Sequence, residues 1–331
     1  MLTYFVRRLL VAIPTLIAIS MVCYVVINLP AGDIVDDYEL RLVELQRYSV
    51  EAARQAGEQL RHEYGLSGNI AEKYLHWATH FLRGDFGISL STMEAVVNII
   101  GPRIEFTLLI SLLSLMLSWG VGIAIGVYCA THQGSVGDYM ASFVGLVTLS
   151  VPPFLTGLGL LVLIVLAFNA PLPIGLFSAE YTSAPWSIGK LLDLLWHLWI
   201  PVIVVGMTGA ASVMRMMRAN LLDEVRKQYV ETARAKGLKE RRVIYRHAVR
   251  IAINPLIALL GVEFPLVISN GIVISIVLGL PTIGPVLQES LVARDVYVAS
   301  AILMLLGALL VIGNLVSDLL LAWIDPRIRF S

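Results

Sequence analysis

The stretch "FTLLISLLSLMLSWGVGIAIGVYC", residues 106–129, runs for 24 positions without one Asp, Glu, Lys or Arg. An apolar run longer than about 18 residues is long enough to cross a bilayer as a helix. Lipid offers no hydrogen-bond partners, so only helices and closed barrels satisfy their backbone there. The chain around the run has the same character. It is 57% hydrophobic and 15% charged over 331 residues, with a mean hydropathy of +0.80, whereas soluble domains carry about 25% charged residues. The fold expected is therefore an all-α integral membrane protein.

Working outward, five further runs qualify. The six expected spans are 9–29, 106–129, 140–168, 195–214, 251–278 and 298–324. Arg7 and Arg8 precede the first run, which is longer than a signal-peptide core and has no small-residue cleavage site after it. It reads as a retained span. Pro14, Pro152, Pro153, Pro201, Pro255 and Pro265 interrupt these runs. Breaks of this kind suit a kinked bundle or the broken helices of a transport pathway. Gly120, Gly122 and Gly126 lie inside a span and read as helix-packing glycines.

The formal net charge is zero, so the overall balance names no partner, but the distribution of charge is uneven. Residues 215–250 hold eleven of the 24 Lys and Arg, whereas 169–194 hold only Lys190 and 279–297 only Arg294. Arg7, Arg8, Arg327 and Arg329 flank the outermost spans. With six spans all three basic clusters share one side, which the positive-inside rule makes cytoplasmic, both termini included. Trp186, Trp196 and Trp199 sit at the opposite interface.

The segment 30–103 is then external. "DDYELRLVELQRYSVEAARQAGEQLRHEYG" is rich in helix formers, so one or two outer helices are expected, punctuated by Gly57 and Gly65. Ser91-x-x-Glu94 matches a capping box, and Gly101-Pro102 suggests a short helix ending before the second span. Its acidic excess fits a solvated face or a surface for something outside. Cys23 and Cys129 are expected near opposite membrane faces, hence unpaired.

The basic loop 215–250 cannot lie in the membrane, where each Lys or Arg costs about 2.5–3.5 kcal/mol at a helix centre. "LLDEVRKQYVETARAKG" predicts one helix with Asp223 and Glu224 in its first turns and Gly237 as a left-handed C′ residue. A second helical piece follows toward Asn254-Pro255. The charge serves topology and anionic lipid. The small residues Ala233 and Ala235 beside Tyr229 and Val230 further suit docking of a cytoplasmic partner. A nucleic-acid patch is a poor reading for a loop tethered to lipid.

The spacing Glu231-Thr232-Ala233, three residues, then Gly237 resembles the E-A-A-x-x-x-G loop of ABC importer permeases, with Thr232 in place of an alanine. The phrase "ARAKGL…RRV…RHAVR…NP" is similar to the dipeptide/oligopeptide/nickel branch, as are "YFVRRLLVAIPTLIAISMVCYVV", "FLRGDFGISL", "LSVPPFLTGLGL", "HLWIPVIVV" and the terminal "DPRIRF". The likeness covers nearly the whole chain. Departures are Ser275 and Thr282 in "SIVLGLPTIG", where the branch carries Glu and Gly, and a longer segment at 33–54.

The resemblance implies a single permease domain, 1–331, of the type I importer fold, with an external insertion at 30–103 and an ATPase-coupling loop at 215–250. It implies a second homologous permease, two ATP-binding subunits or domains and an external solute-binding protein as partners, besides membrane lipid. ATP and magnesium would sit on the ATPase subunits, with no metal or other cofactor on this chain. The coupling segment would be Tyr229, Val230, Glu231, Thr232, Ala233, Arg234, Ala235, Lys236, Gly237 and Leu238. The cargo implied is peptides, with oligosaccharides, opines or metal chelates as alternatives, across a bacterial or archaeal inner membrane.

From the residues themselves, Glu263 is an acid inside a span and a candidate for the substrate path together with Ser269, Asn270 and Ser275. A structural hydrogen bond near Pro265, or proton coupling in a secondary transporter, would also account for it. No Gly-x-x-x-x-Gly-Lys-Ser/Thr loop occurs and no hydrolase elbow is present, so the chain reads as a transport subunit, not an enzyme. His76 and His80 share a helical face with Glu72, which by itself is a thin case for a metal site.

Overall fold

A computed structural model describes residues 2–28, 34–44, 48–63, 68–89, 91–168 and 173–324. Gly65 and the terminal "DPRIRF" lie outside them. The described residues are mostly helical, joined by turns and short irregular links, with one isolated bridge between Ile88 and Ala95. In chain order the helices are α1 (Leu2–Ile27), α2 (Ile34–Glu44), α3 (Val50–Glu63), α4 (Ile70–Leu82), α5 (Val96–Thr131), α6 (Val136–Ser150) and α7 (Pro153–Leu163). A π-helical turn, Ile164–Phe168, continues α7. There follow α8 (Ala179–Thr182), α9 (Ile188–Glu224), α10 (Gln228–Ala235) and α11 (Glu240–Arg242), then a second π turn (Val243–Ala248). The last four are α12 (Val249–Ala252), α13 (Asn254–Val277), α14 (Ile283–Val292) and α15 (Val296–Ile324).

Five of these, α1, α5, α9, α13 and α15, are long and apolar enough to cross a membrane. The expected third span is two helices, α6 and α7, bent through 104° at 151–152. Pro152 and Pro153 explain the break: neither donates a backbone hydrogen bond, and Val151 before them is extended. Counted as one span, the pair brings the total to six.

The chain forms two compact units. One comprises Met1–Arg8, Phe106–Gly284 and Ile312–Ser331. Its central seam joins α5 and α9 through small residues. A Cβ added at Gly122 would fall 2.8 Å from the Ala210 carbonyl oxygen, and one at Gly126 2.7 Å from that of Met214. The Ser118 hydroxyl crosses the same seam to donate to the Gly206 carbonyl at 2.7 Å. Gly120 faces open space and takes no part. On the other flank of this unit, Gly261 of α13 abuts Asn314 of α15, and Ser317 donates to the Ile257 carbonyl at 2.5 Å. Arg218 of α9 grips the buried Asp138 at the start of α6 through two bonds of 2.7 and 2.8 Å.

The second unit comprises Leu9–Glu105 and Pro285–Val311. The helix-rich outer stretch supplies α2 and α3, within the one or two helices expected of it, and Asn69 starts a further one, α4, with a full capping box to Glu72. Gly57 does not punctuate. It sits inside α3, where a side chain would collide with Glu39 of α2. Arg61 clamps the same pair of helices by binding Asp36 and Glu39. Tyr24 of α1 packs in an aromatic cluster with Tyr74 and Trp77 of α4, at centroid separations of 5.4–6.1 Å.

The expected Ser91–Glu94 capping box does not form. Met93 is left-handed with φ 58°, and the Ser89 hydroxyl accepts from the Thr92 N–H instead. Ser89 in turn donates to the buried Asp295 at 2.6 Å. The separate short helix is likewise absent, since α5 runs through Gly101-Pro102. Pro102 removes the bond to the carbonyl of Asn98, an exposed residue, so the helix continues at small cost.

Candidate functional site

The loop between α9 and α13 carries the first candidate. Its helix begins at Gln228, later than the sequence predicts, because Asp223 and Glu224 belong to the end of α9. A short break at 225–227 turns the chain. Glu224 is buried and holds that turn by accepting from Lys227 Nζ at 2.5 Å and Tyr229 Oη at 2.7 Å. Burial, and next the carboxylate of Glu224, push the Tyr229 phenol up from its ordinary pKa.

Helix α10 is amphipathic over only two turns. Val230 and Ala233, one turn apart, are buried at 0% and 7% exposure against Met217, Leu221, Val243 and Ala248. They anchor the helix to the bundle. Tyr229 and Leu238 are half-buried at the edges of that contact. Gln228, Glu231, Thr232 and Ala235 share the opposite, exposed face, with Arg234 and Lys236 beside them.

The end of α10 is a two-bond left-handed cap. Gly237 has φ +72°, its N–H donates to the Arg234 carbonyl at 2.9 Å, and the Leu238 N–H reaches the Ala233 carbonyl at 3.4 Å. A Cβ at Gly237 would touch nothing within 4 Å, so the glycine is required by backbone angle and not by space. Past it, Arg234 forks onto Glu240 at 2.7 and 3.1 Å. The guanidinium holds the Glu240 carboxyl below its usual range, and Glu240 pushes Arg234 up in return. The chain then enters α13 through the π turn, a distortion frequent at functional sites.

The second candidate is α13. Glu263 is half-buried, and the Trp119 indole Nε1 on α5 donates to its carboxylate at 2.7 Å. Asn270 lies two turns further on the same side and Ser269 beside it, both exposed. Ser275 is on the far side of the helix, 4% exposed and packed near Thr107, Ser111 and Thr282. The structure thus brings Glu263, Asn270 and Ser269 onto one side of α13 and leaves Ser275 out.

Sequence reasoning missed Trp119, Glu240 and the Asp138–Arg218 pair, and it placed Glu224 at a helix start and not at the turn it holds. Each is a partner supplied from another helix or across a turn, a pairing that residue spacing does not reveal. His76 and His80 stack with ring centroids 4.2 Å apart, and burial, together with the charge of His80, lowers the His76 pKa. Among the described residues no group of three or more His, Cys, Asp or Glu is placed to hold a metal ion.

Residues 122–330 match the family described as binding-protein-dependent transport system inner membrane component. The chain is 32% identical, over the full length of both, to the oligopeptide transport system permease protein AppB of Bacillus subtilis. It is 30% identical to the dipeptide transport system permease protein DppB of Escherichia coli K12, over 99% of each chain. A glutathione transport system permease protein, GsiC of Escherichia coli O1:K1, is 29% identical over the whole of both.

Proposed function

We infer the function of this chain from one premise: it belongs to the binding-protein-dependent transport system inner membrane components. It is a multi-pass permease subunit that forms part of the translocation pathway for peptides in an ABC importer. The relatives' names, oligopeptide, dipeptide and glutathione, favour peptides over oligosaccharides, opines or metal chelates as cargo.

The finer reading concerns what drives it. In our proposal α10 is the element that seats in an ATPase subunit, and ATP with magnesium binds there and not on this chain. A second permease completes the pathway, a solute-binding protein delivers the peptide from outside, and both termini are cytoplasmic. The membrane is the inner membrane of a bacterium or archaeon. The observation that carries this is the build of α10. It is a short helix fixed to the membrane bundle by Val230 and Ala233, capped at Gly237, and open on the face of Glu231, Thr232 and Ala235. A helix fixed at its back and capped at its end transmits a push as a rigid lever into α13.

The test is co-purification of a stoichiometric ATPase followed by assay of Gly237→Glu and Gly237→Ala. Left-handed backbone costs an ordinary residue about 1–2 kcal/mol, so both variants insert. Gly237→Glu, which adds bulk and charge at the open end, is expected to uncouple ATP hydrolysis from uptake, while Gly237→Ala retains most coupling. Normal uptake by Gly237→Glu would reduce the segment to a topology signal.

A further inference from the structure

The open side of α13 carries more polarity than a lipid-facing helix tolerates. Trp119 satisfies one oxygen of Glu263, and among the described residues nothing hydrogen-bonds the other. Asn270 and Ser269, both exposed, make no side-chain hydrogen bond there either. Leu259, Val262, Leu266 and Val273 fill the rest of that side and are exposed as well. Unpaired amides and carboxylates in hydrocarbon cost several kcal/mol each, and ionisable residues inside spans face a bundle interior or a wet cavity. This side of α13 therefore meets water and solute, not acyl chains.

We propose that Glu263, held in place by Trp119, recognises a cationic side chain of the transported peptide, with Asn270 pairing to the peptide's amides further along; this rests on the peptide-permease reading above. The chemistry is specific to a cation. A carboxylate with one oxygen pinned by an N–H donor presents the other as a charge-assisted acceptor for an ammonium or guanidinium, and repels a second carboxylate. Glu263 and Asn270 stand seven residues apart, about 10 Å along the helix axis, which is the reach of about three extended residues. Trp119 is a positioning residue, because it fixes the carboxylate's direction and does not face the open side alone. A metal ion is a poor occupant, since no third ligand of the His, Cys, Asp or Glu type accompanies Glu263 among the described residues.

The experiment uses the complete importer in proteoliposomes: both permeases, the ATPase subunits and the binding protein. ATP-driven uptake is measured for two tripeptides that differ only in a central Lys or Glu. The binding protein is common to every arm, so a change in the uptake ratio on mutating this chain reports the permease. Glu263→Gln is expected to lower the lysyl-to-glutamyl ratio on the order of tenfold, matching loss of one charge–charge contact in a partly wet site. Trp119→Phe should lower it in part, and Glu263→Asp should restore most of it. An unchanged ratio with both rates falling together would make Glu263 a brace between α5 and α13 and overturn the proposal. Uptake that follows an imposed proton gradient, with that response lost in Glu263→Gln, would overturn it in favour of proton coupling. Absence of ATP-driven uptake of either peptide by the wild-type complex would instead remove the peptide-permease reading itself.

Discussion

Arg234 and Glu240 show how a single contact can shape the exposed end of α10. They bridge the turn around Gly237, tying the last turn of α10 to the first residue of α11. Both side chains are well exposed, at 41% and 59%, so the pair contributes about 0.2–1 kcal/mol. The sign of its pH dependence follows from Glu240, whose carboxyl is held below its ordinary value by Arg234. A depressed acid stabilises the fold above the unfolded pKa, about 4.3 for glutamate. That contribution is lost as pH falls through the lower folded value. A double-mutant cycle of Arg234→Gln and Glu240→Gln in thermal unfolding should therefore show a coupling of that size at pH 7. The coupling should shrink steadily as the buffer is taken below pH 4. Coupling that persists in strong acid would mean the two side chains interact through packing and not charge.

At the scale of elements, the α5–α9 seam controls where α10 sits. Val127 of α5, Met217 and Leu221 of α9 and Val230 and Ala233 of α10 share one buried cluster. Gly126 lies beside that cluster, where a side chain would strike the Met214 carbonyl and Met217 Cβ. Gly126→Val must push α5 away from α9, an overpacking cost of about 1–3 kcal/mol. Gly120→Val, six residues earlier on open space, should cost far less. Thermal unfolding of the two variants in detergent checks this, and equal melting temperatures would show that the seam gives way without strain. Both glycines looked alike in the sequence, because small residues announce close packing without saying which of them is in contact. The same limit applied to Glu263. Its place inside a span was legible, and its bond to Trp119, 144 residues away in the chain, was not. The place of Gly237 just after a run of helix formers did reveal it as a left-handed cap, since that requirement is local to a few residues.

For the molecule as a whole, the count of membrane crossings rests on the bent pair α6–α7. Hydropathy predicts one continuous span at 140–168, but it is blind to the angle that Pro152 and Pro153 impose. A pair bent through 104° is either one broken crossing or a re-entrant loop, and the two choices place everything after it on opposite sides. Charge favours the crossing. If the pair re-enters, the loop of 169–194 is cytoplasmic with one lysine, and 215–250 with its eleven basic residues faces outward. That inverts the positive-inside rule at its strongest cluster in the chain. If the pair crosses, both loops obey the rule and α10 faces the compartment that holds ATP. With Cys23 and Cys129 replaced by Ala, single cysteines at two exposed positions, Ser183→Cys and Ala235→Cys, would be probed in intact cells and in inverted vesicles with a membrane-impermeant maleimide. Ser183→Cys should label only from outside and Ala235→Cys only from the cytoplasmic face. Labelling of Ser183→Cys from the cytoplasmic face would make α6–α7 a re-entrant loop, reduce the crossings to five, and place α10 out of reach of any cytoplasmic ATPase.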